Sequence, residues 1–161
     1  MDGSAQKDGL YQSKIPSDFR HASYVIEAVL QMKAMREVYN SYHIVLFDRW
    51  FDTNIAYLDS INWYSEYFKM LTDLLPKPNL TYFFKLDTSK ALKRLKEKND
   101  WMLKMYDENH IISLLNKRQS NFEQLYRDRE DVIHIDSNGM KKDVINNVIC
   151  SFTEYMEGLI E

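Results

Sequence analysis

Cysteine, proline and glycine are what this chain has least of, with one, three and four copies in 161 residues. Each scarcity excludes something. The lone Cys150 rules out an internal disulfide framework and points to a reducing compartment. Set among Val148, Ile149 and Phe152, it reads as a small buried apolar residue rather than a reactive thiol. So few glycines and prolines exclude collagen-like and low-complexity chains. No apolar run approaches the roughly 18 residues of a membrane span, and the first residues lack the apolar core of a signal peptide. A cytoplasmic protein without membrane contact is therefore the expectation. Nor is positive charge in excess: 21 Lys and Arg face 24 Asp and Glu, a formal net charge of -3, which offers no basic face to nucleic acid. His43, His110 and His134 show no ligand spacing, so no metal site is expected.

What is present is apolar and aromatic material, 45% and 14% of the residues, enough for one packed domain at this length. Residues 1–16 hold two glycines and no apolar period, and read as a flexible arm. The domain proper is expected over 17–161. Ser17 or Asp18 can cap a helix over 18–39, in which Tyr24, Val25, Ala28, Val29, Met32 and Met35 recur at helical spacing. Ile44-Val45-Leu46-Phe47 has the character of a buried strand, placed at 43–48. Asp52 or Thr53 would cap a helix over 53–75, closed before Pro76 and Pro78. Leu80 to Asp87 reads as a second strand, and Thr88 or Ser89 caps a helix to Lys98. Residues 99–109 are polar and aperiodic. A long helix follows over 110–128, with Ile111, Leu114, Leu115, Phe122, Leu125 and Tyr126 inward. Val132 to Asp136 is a third strand, and 141–158 a last helix. Strands alternating with helices imply βαβ units and a mainly parallel sheet.

The stretch His43 to Tyr57 carries the chemistry. A charged pair, Asp48-Arg49, ends an apolar strand, and such a pair is costly there unless something binds; in open α/β sheets that end of the strands is where ligands sit. Asp48 to Tyr57, DRWFDTNIAY, is similar to the D-R-[YFH]-x-x-S-x-x-A-Y signature of the thymidylate kinase family. Pro78-Asn79-Leu80-Thr81, Leu86-Asp87 and Ala91-Leu92-Lys93-Arg94-Leu95 resemble that family's P-D-L-T strand, its L-D turn and its A-L-x-R helix. Val132 to Ser137 resembles its last strand. Three such pieces in order, with suitable elements between them, are more specific than any one alone.

The resemblance implies a three-layer P-loop-kinase-like α/β domain that transfers a phosphoryl group from ATP, with Mg2+, to a (deoxy)nucleoside monophosphate. Arg49 would grip the acceptor phosphate bidentately, a task suited to a guanidinium fork. Asp48 would stand near the Mg2+ shell or orient Arg49. Thr53, Tyr57 and Tyr24 would face the acceptor pocket. Arg94, Lys96 and Lys98 would belong to a lid that closes over the phosphates and excludes water. Blander readings stand beside these. Asp48 and Arg49 can form a structural ion pair, Thr53 a helix cap, Tyr57 part of a core, and the lysines a solvated surface.

The sequence departs from the family in two places. A phosphate-binding loop needs G-x-x-x-x-G-K-[ST], because backbone N–H groups and a lysine must cradle the phosphates, and none of Gly3, Gly9, Gly139 and Gly158 begins that pattern. In the family the strand carrying the loop lies between those corresponding to 43–48 and 80–86. Here those two must pair directly, or borrow strands from a second copy or a partner chain, or belong to a longer kinase. In the acceptor site, Glu27 stands where gap-free counting puts the family's phosphate-binding arginine, with Val29 and Leu58 in place of glutamines. Glu27 would repel a phosphate unless Lys33 or Arg36 pairs with it. Two classes of function follow: a monophosphate kinase inactive as this isolated chain, or a non-catalytic nucleotide-binding or protein-interaction module. Because apolar strand edges lacking their neighbour associate, the purified chain is expected to sediment as more than a monomer, and a monodisperse monomer would contradict this.

Overall fold

The computed structural model describes residues 17–57, 70 and 72–159, and the chain divides into two compact units, Met1–Lys77 and Pro78–Glu161. In the second unit, β1 (Thr81–Lys85) and β2 (Val132–Asp136) pair in parallel, with Thr81 opposite Val132 and Lys85 opposite Asp136. Both are rich in aromatic and β-branched residues, which fit a pleated, half-buried surface. Parallel partners need a long crossover. Here it consists of α4 (Thr88–Glu97), α5 (Met102–Met105) and α6 (Glu108–Tyr126), the labels α1 to α3 belonging to the first unit. After β2 comes α7 (Lys141–Glu157).

Alternation along β1 distributes the layers. Phe83 meets Phe122 and Tyr126 of α6 at ring-centroid distances of 5.4 and 5.3 Å, and His134 of β2 at 5.6 Å. Lys85, on the same face, pairs with Glu123 of α6 at 3.6 Å. Tyr82, on the other face, shares a 3.0 Å hydroxyl hydrogen bond with Ser151 of α7. Helices thus cover both faces of the small parallel sheet, the three-layer arrangement expected of a P-loop-kinase-like α/β domain. Beneath the crossover, Leu92, Met102 and Ile111 form a buried cluster that Leu95 and Leu115 extend. The Asp107 carboxylate caps α6 by accepting from the His110 backbone N–H at 2.9 Å, so that helix begins slightly before the expected residue 110.

Two expectations for this unit need correction. Residues 99–109, read as aperiodic, contain the one-turn α5. The Asp100 carboxylate accepts from the Met102 N–H at 3.0 Å and turns the chain so that Met102 is buried; a single turn is too short to show a period. Cys150 is exposed rather than buried, and so are its α7 neighbours Ile145 and Ile149, because Tyr82 and the sheet meet α7 on its Ser151 side.

In the first unit the expected helix over 18–39 is split at Met35 into α1 (Ser17–Ala34) and α2 (Arg36–Tyr39). Val25 is fully buried, whereas Tyr24 and Met35 are each exposed by more than two fifths. Then comes α3 (Asp52–Ala56), whose Ile55 and Ala56 are buried together with the preceding Phe51. Its N-cap is Phe51 rather than Asp52 or Thr53. Met70 and Thr72 are again helical, residues 58–69 and 71 of the helix expected over 53–75 lie outside the described residues, and 73–75 are turn and bend rather than helix, so that helix ends earlier than expected.

The strand expected at 43–48 is not formed. Ile44 to Phe47 has no ladder partner, and Leu46 is 86% exposed. β-propensity describes fit to a sheet, and backbone N–H and C=O groups make a strand only against a neighbour. Among the described residues the strands are β1 and β2, paired with each other.

Ile111, 0% exposed at the centre of its cluster, is expected to cost about 2–5 kcal/mol on replacement by alanine. Denaturant unfolding of Ile111→Ala checks this, and an unchanged midpoint would place the core elsewhere.

Candidate functional site

The first unit contains a cleft of about 420 Å³ walled by parts of α1, α2, the 47–51 segment and α3. That volume lies in the range of small-ligand pockets. The apolar wall is aromatic: Phe47 packs on Trp50 with centroids 4.5 Å apart and on Tyr39 at 5.7 Å. The polar contribution comes from Gln31 on α1, Arg49 before α3, and Thr53 and Asn54 on α3.

Arg49 owes its place to its backbone. Its φ is +72°, the left-handed region that a side chain with a Cβ enters at a cost of roughly 1–2 kcal/mol. That single turn lies between the 44–47 segment and the start of α3, where the Thr53 and Asn54 amides bond back to the carbonyls of Trp50 and Phe51. Aromatic side chains before and after Arg49 are thereby carried onto one wall, and the guanidinium is left at the cleft without a hydrogen bond or ion pair among the described residues.

Of the residues singled out from sequence, Arg49, Thr53 and Tyr57 line this cleft together. Asp48 and Tyr24 are not among its lining residues; both are exposed. No ion pair joins Asp48 to Arg49 among the described residues. Glu27 does not pair with Lys33 or Arg36 but accepts from Gln31 Nε2 at 3.1 Å. Arg94, Lys96 and Lys98 belong to the second unit. The Arg94 guanidinium donates to the Ser137 carbonyl at 3.0 Å, Lys96 pairs with Glu108 at 2.6 Å, and Lys98 is exposed at the end of α4.

The model of thymidylate kinase matches residues 17–148. This chain belongs to the thymidylate kinase family. No solved structure matches it. In this thymidylate kinase relative, sequence reasoning missed Gln31, Asn54 and the aromatic wall. Gln31 had a signal, a polar residue at helical spacing from Ala28 on a face that is otherwise apolar. Tyr39 and Phe47 had none, since neighbourhood across a turn has no period to read.

The residues present suit a magnesium-dependent nucleotide reaction in one respect. Among the described residues no three His, Cys, Asp or Glu side chains gather to hold a metal. Kinase Mg2+ generally takes one or two carboxylates and fills its shell with water and phosphate; Asp48 is exposed and has no partner among the described residues.

Arg49→Gly separates backbone from side chain at this site. The variant is expected to lose monophosphate binding while keeping or raising stability by up to about 1 kcal/mol, because glycine enters the left-handed region freely. Calorimetric titration beside a denaturant midpoint checks both; undiminished binding would remove Arg49 from the site.

Proposed function

We propose that this unit is the acceptor half of a thymidylate-kinase-type site, binding a (deoxy)nucleoside monophosphate for phosphoryl transfer from ATP. Membership of the family supports nucleotide-kinase chemistry in general. The observation that carries the reading to this cleft is the Arg49 guanidinium on an aromatic wall, held by a strained backbone turn. Strain in a side-chain-bearing residue persists where the surroundings impose it, and it clusters at ligand clamps. Phosphoryl transfer asks little covalent chemistry of the protein and much positioning and charge neutralisation.

In this reading Arg49 grips the acceptor's phosphate through two parallel N–H···O bonds, which fixes both distance and orientation. The aromatic wall takes the base, and Thr53 and Tyr57 close the polar side. Mg2+, when bound with ATP near Asp48, supplies neutralisation of the phosphate oxygens. Arg94, Lys96 and Lys98, all in the second unit, are the lid residues of this reading, and the Lys96–Glu108 pair is an exposed one of the weak kind.

One sequence observation favours a second reading for the chain by itself. No stretch of these 161 residues has the pattern G-x-x-x-x-G-K-[ST], so the donor cradle must come from a different partner chain or from residues beyond these. Without it the chain is a non-catalytic module that binds nucleotide or protein.

The isolated chain is accordingly expected to bind monophosphate without turning over ATP, and Arg49→Ala to weaken that binding at least about tenfold, the usual scale of a charge-assisted pair. A coupled assay over a panel of monophosphates is the test: turnover that disappears with Arg49→Ala would overturn the expectation of inactivity.

A further inference from the structure

α7 is covered on one side only. Its inward stripe, Val144, Val148, Ser151 and Tyr155, is half-buried, and no residue of the helix is fully buried. The stripe turned from the Tyr82 contact is centred on Ile145 and Ile149, both exposed, Ile149 by 57%. Lys142 continues it toward the start of the helix, and Glu157 borders it about four turns further on, along the same flank at 3.6 residues per turn. Neither Lys142 nor Glu157 makes an ion pair among the described residues. At the two ends of the helix stand two more exposed apolar residues, Met140 and Leu159. The other acidic side chains near the ends, Asp143 and Glu154, lie about a third of a turn or more from Ile149 and take no part in the stripe.

An apolar centre between ends of opposite charge is complementary to its own reverse, which is what a two-fold interface requires. Laid antiparallel on a second copy, with the axis crossing between Ile149 and Cys150, the helix sets Lys142 opposite Glu157 of the second copy and Glu157 opposite its Lys142. A two-fold axis perpendicular to both helices returns each flank to the same side of the pair, so these opposite charges meet. The same register puts Met140 opposite Leu159 of the second copy at both ends and the two Ile149 side chains together at the middle. A parallel pairing sets lysine against lysine and glutamate against glutamate, and a wholly apolar partner leaves both charges unanswered.

We propose that this outer face of α7 is a homodimer interface, packed antiparallel on the same face of a second copy. Ile145 and Ile149 supply the apolar contact, and the Lys142–Glu157 pairs set direction and register, since exposed ion pairs add little affinity while opposed like charges exclude the wrong arrangement. The face lies on the side of α7 away from its contact with the sheet, so the pairing is independent of the strand edges and of the reading of the cleft.

Sedimentation of the full chain over a concentration series tests this, repeated with Ile149→Glu, Lys142→Glu, Glu157→Lys and the double reversal Lys142→Glu/Glu157→Lys. These positions are exposed, and both reversals suit the helix dipole, so weakened association is not a folding defect; circular dichroism and a denaturant midpoint check that. The expected result is a dimer whose dissociation constant rises at least about a hundredfold with Ile149→Glu and about tenfold with either single reversal, and returns close to its original value in the double reversal. Ile149→Cys in a Cys150→Ser background is expected to give a disulfide-linked dimer on mild oxidation. An assembly indifferent to Ile149→Glu overturns the proposal and points to the strand edges instead. Single reversals that the double reversal does not repair overturn the antiparallel register. A monomer also overturns the proposal: slow labelling of Cys150 by a maleimide then shows the face covered by the chain itself, and fast labelling shows it bare.

Discussion

Parallel backbone pairing between β1 and β2 is the interaction on which the second unit depends. Five consecutive residue pairs fix strand direction, and direction dictates that the chain travel back along the sheet before it can pair again. The crossover therefore has to span the strand length, and α6, at about 1.5 Å per residue, overshoots it, which is why its last turns stack Phe122 and Tyr126 over Phe83. Packing the crossover on one face leaves the other to α7. The layers are thus a consequence of the pairing, and the buried Leu92, Met102 and Ile111 cluster is where the three crossover helices meet beneath it.

The same constraint explains the first unit by its default. Ile44 to Phe47 has the composition of a strand and no neighbour among the described residues to bond with, so it forms no strand and stays exposed. Local sequence still governs what happens at its end. The left-handed turn at Arg49 needs no sheet, only the hydrogen bonds that start α3. For that reason the cleft is built although the strand leading into it is not paired. The cleft forms from local structure alone, while no stretch of these 161 residues has the pattern G-x-x-x-x-G-K-[ST].

Much of this was legible beforehand. β1, β2, α4, α6 and α7 lie within a few residues of their expected bounds, because each has either a clear period of two or a clear helical face, although the cap of α4 is Asp87 rather than Thr88 or Ser89 and that of α6, Asp107, was not anticipated. The parallel sense of the sheet followed from alternation of elements. The 43–48 strand was misjudged because composition reports what a segment suits, whereas pairing depends on a partner that composition does not mention. Cys150 was misjudged for a related reason: its apolar neighbours Ile145 and Ile149 indicate a face that can be buried, and that face is exposed. At the site, Arg49, Thr53 and Tyr57 were found because they sit close together in a recognisable stretch. Gln31 and the wall of Tyr39 and Phe47 were not, since they converge on that stretch only through the break at Met35.

Asn138 lies in the loop that leaves β2. Its Oδ1 accepts from the Asp87 backbone N–H at 3.0 Å and its Nδ2 donates to the Asp87 carboxylate at 3.2 Å, while its own N–H donates to Asp136 and its carbonyl accepts from Lys90 at 2.9 Å. With Arg94 holding the adjacent Ser137 carbonyl, the exit of β2 and the start of α4 are fastened into one rigid piece. Parting the end of β2 from the start of α4 would therefore break several hydrogen bonds at once rather than one.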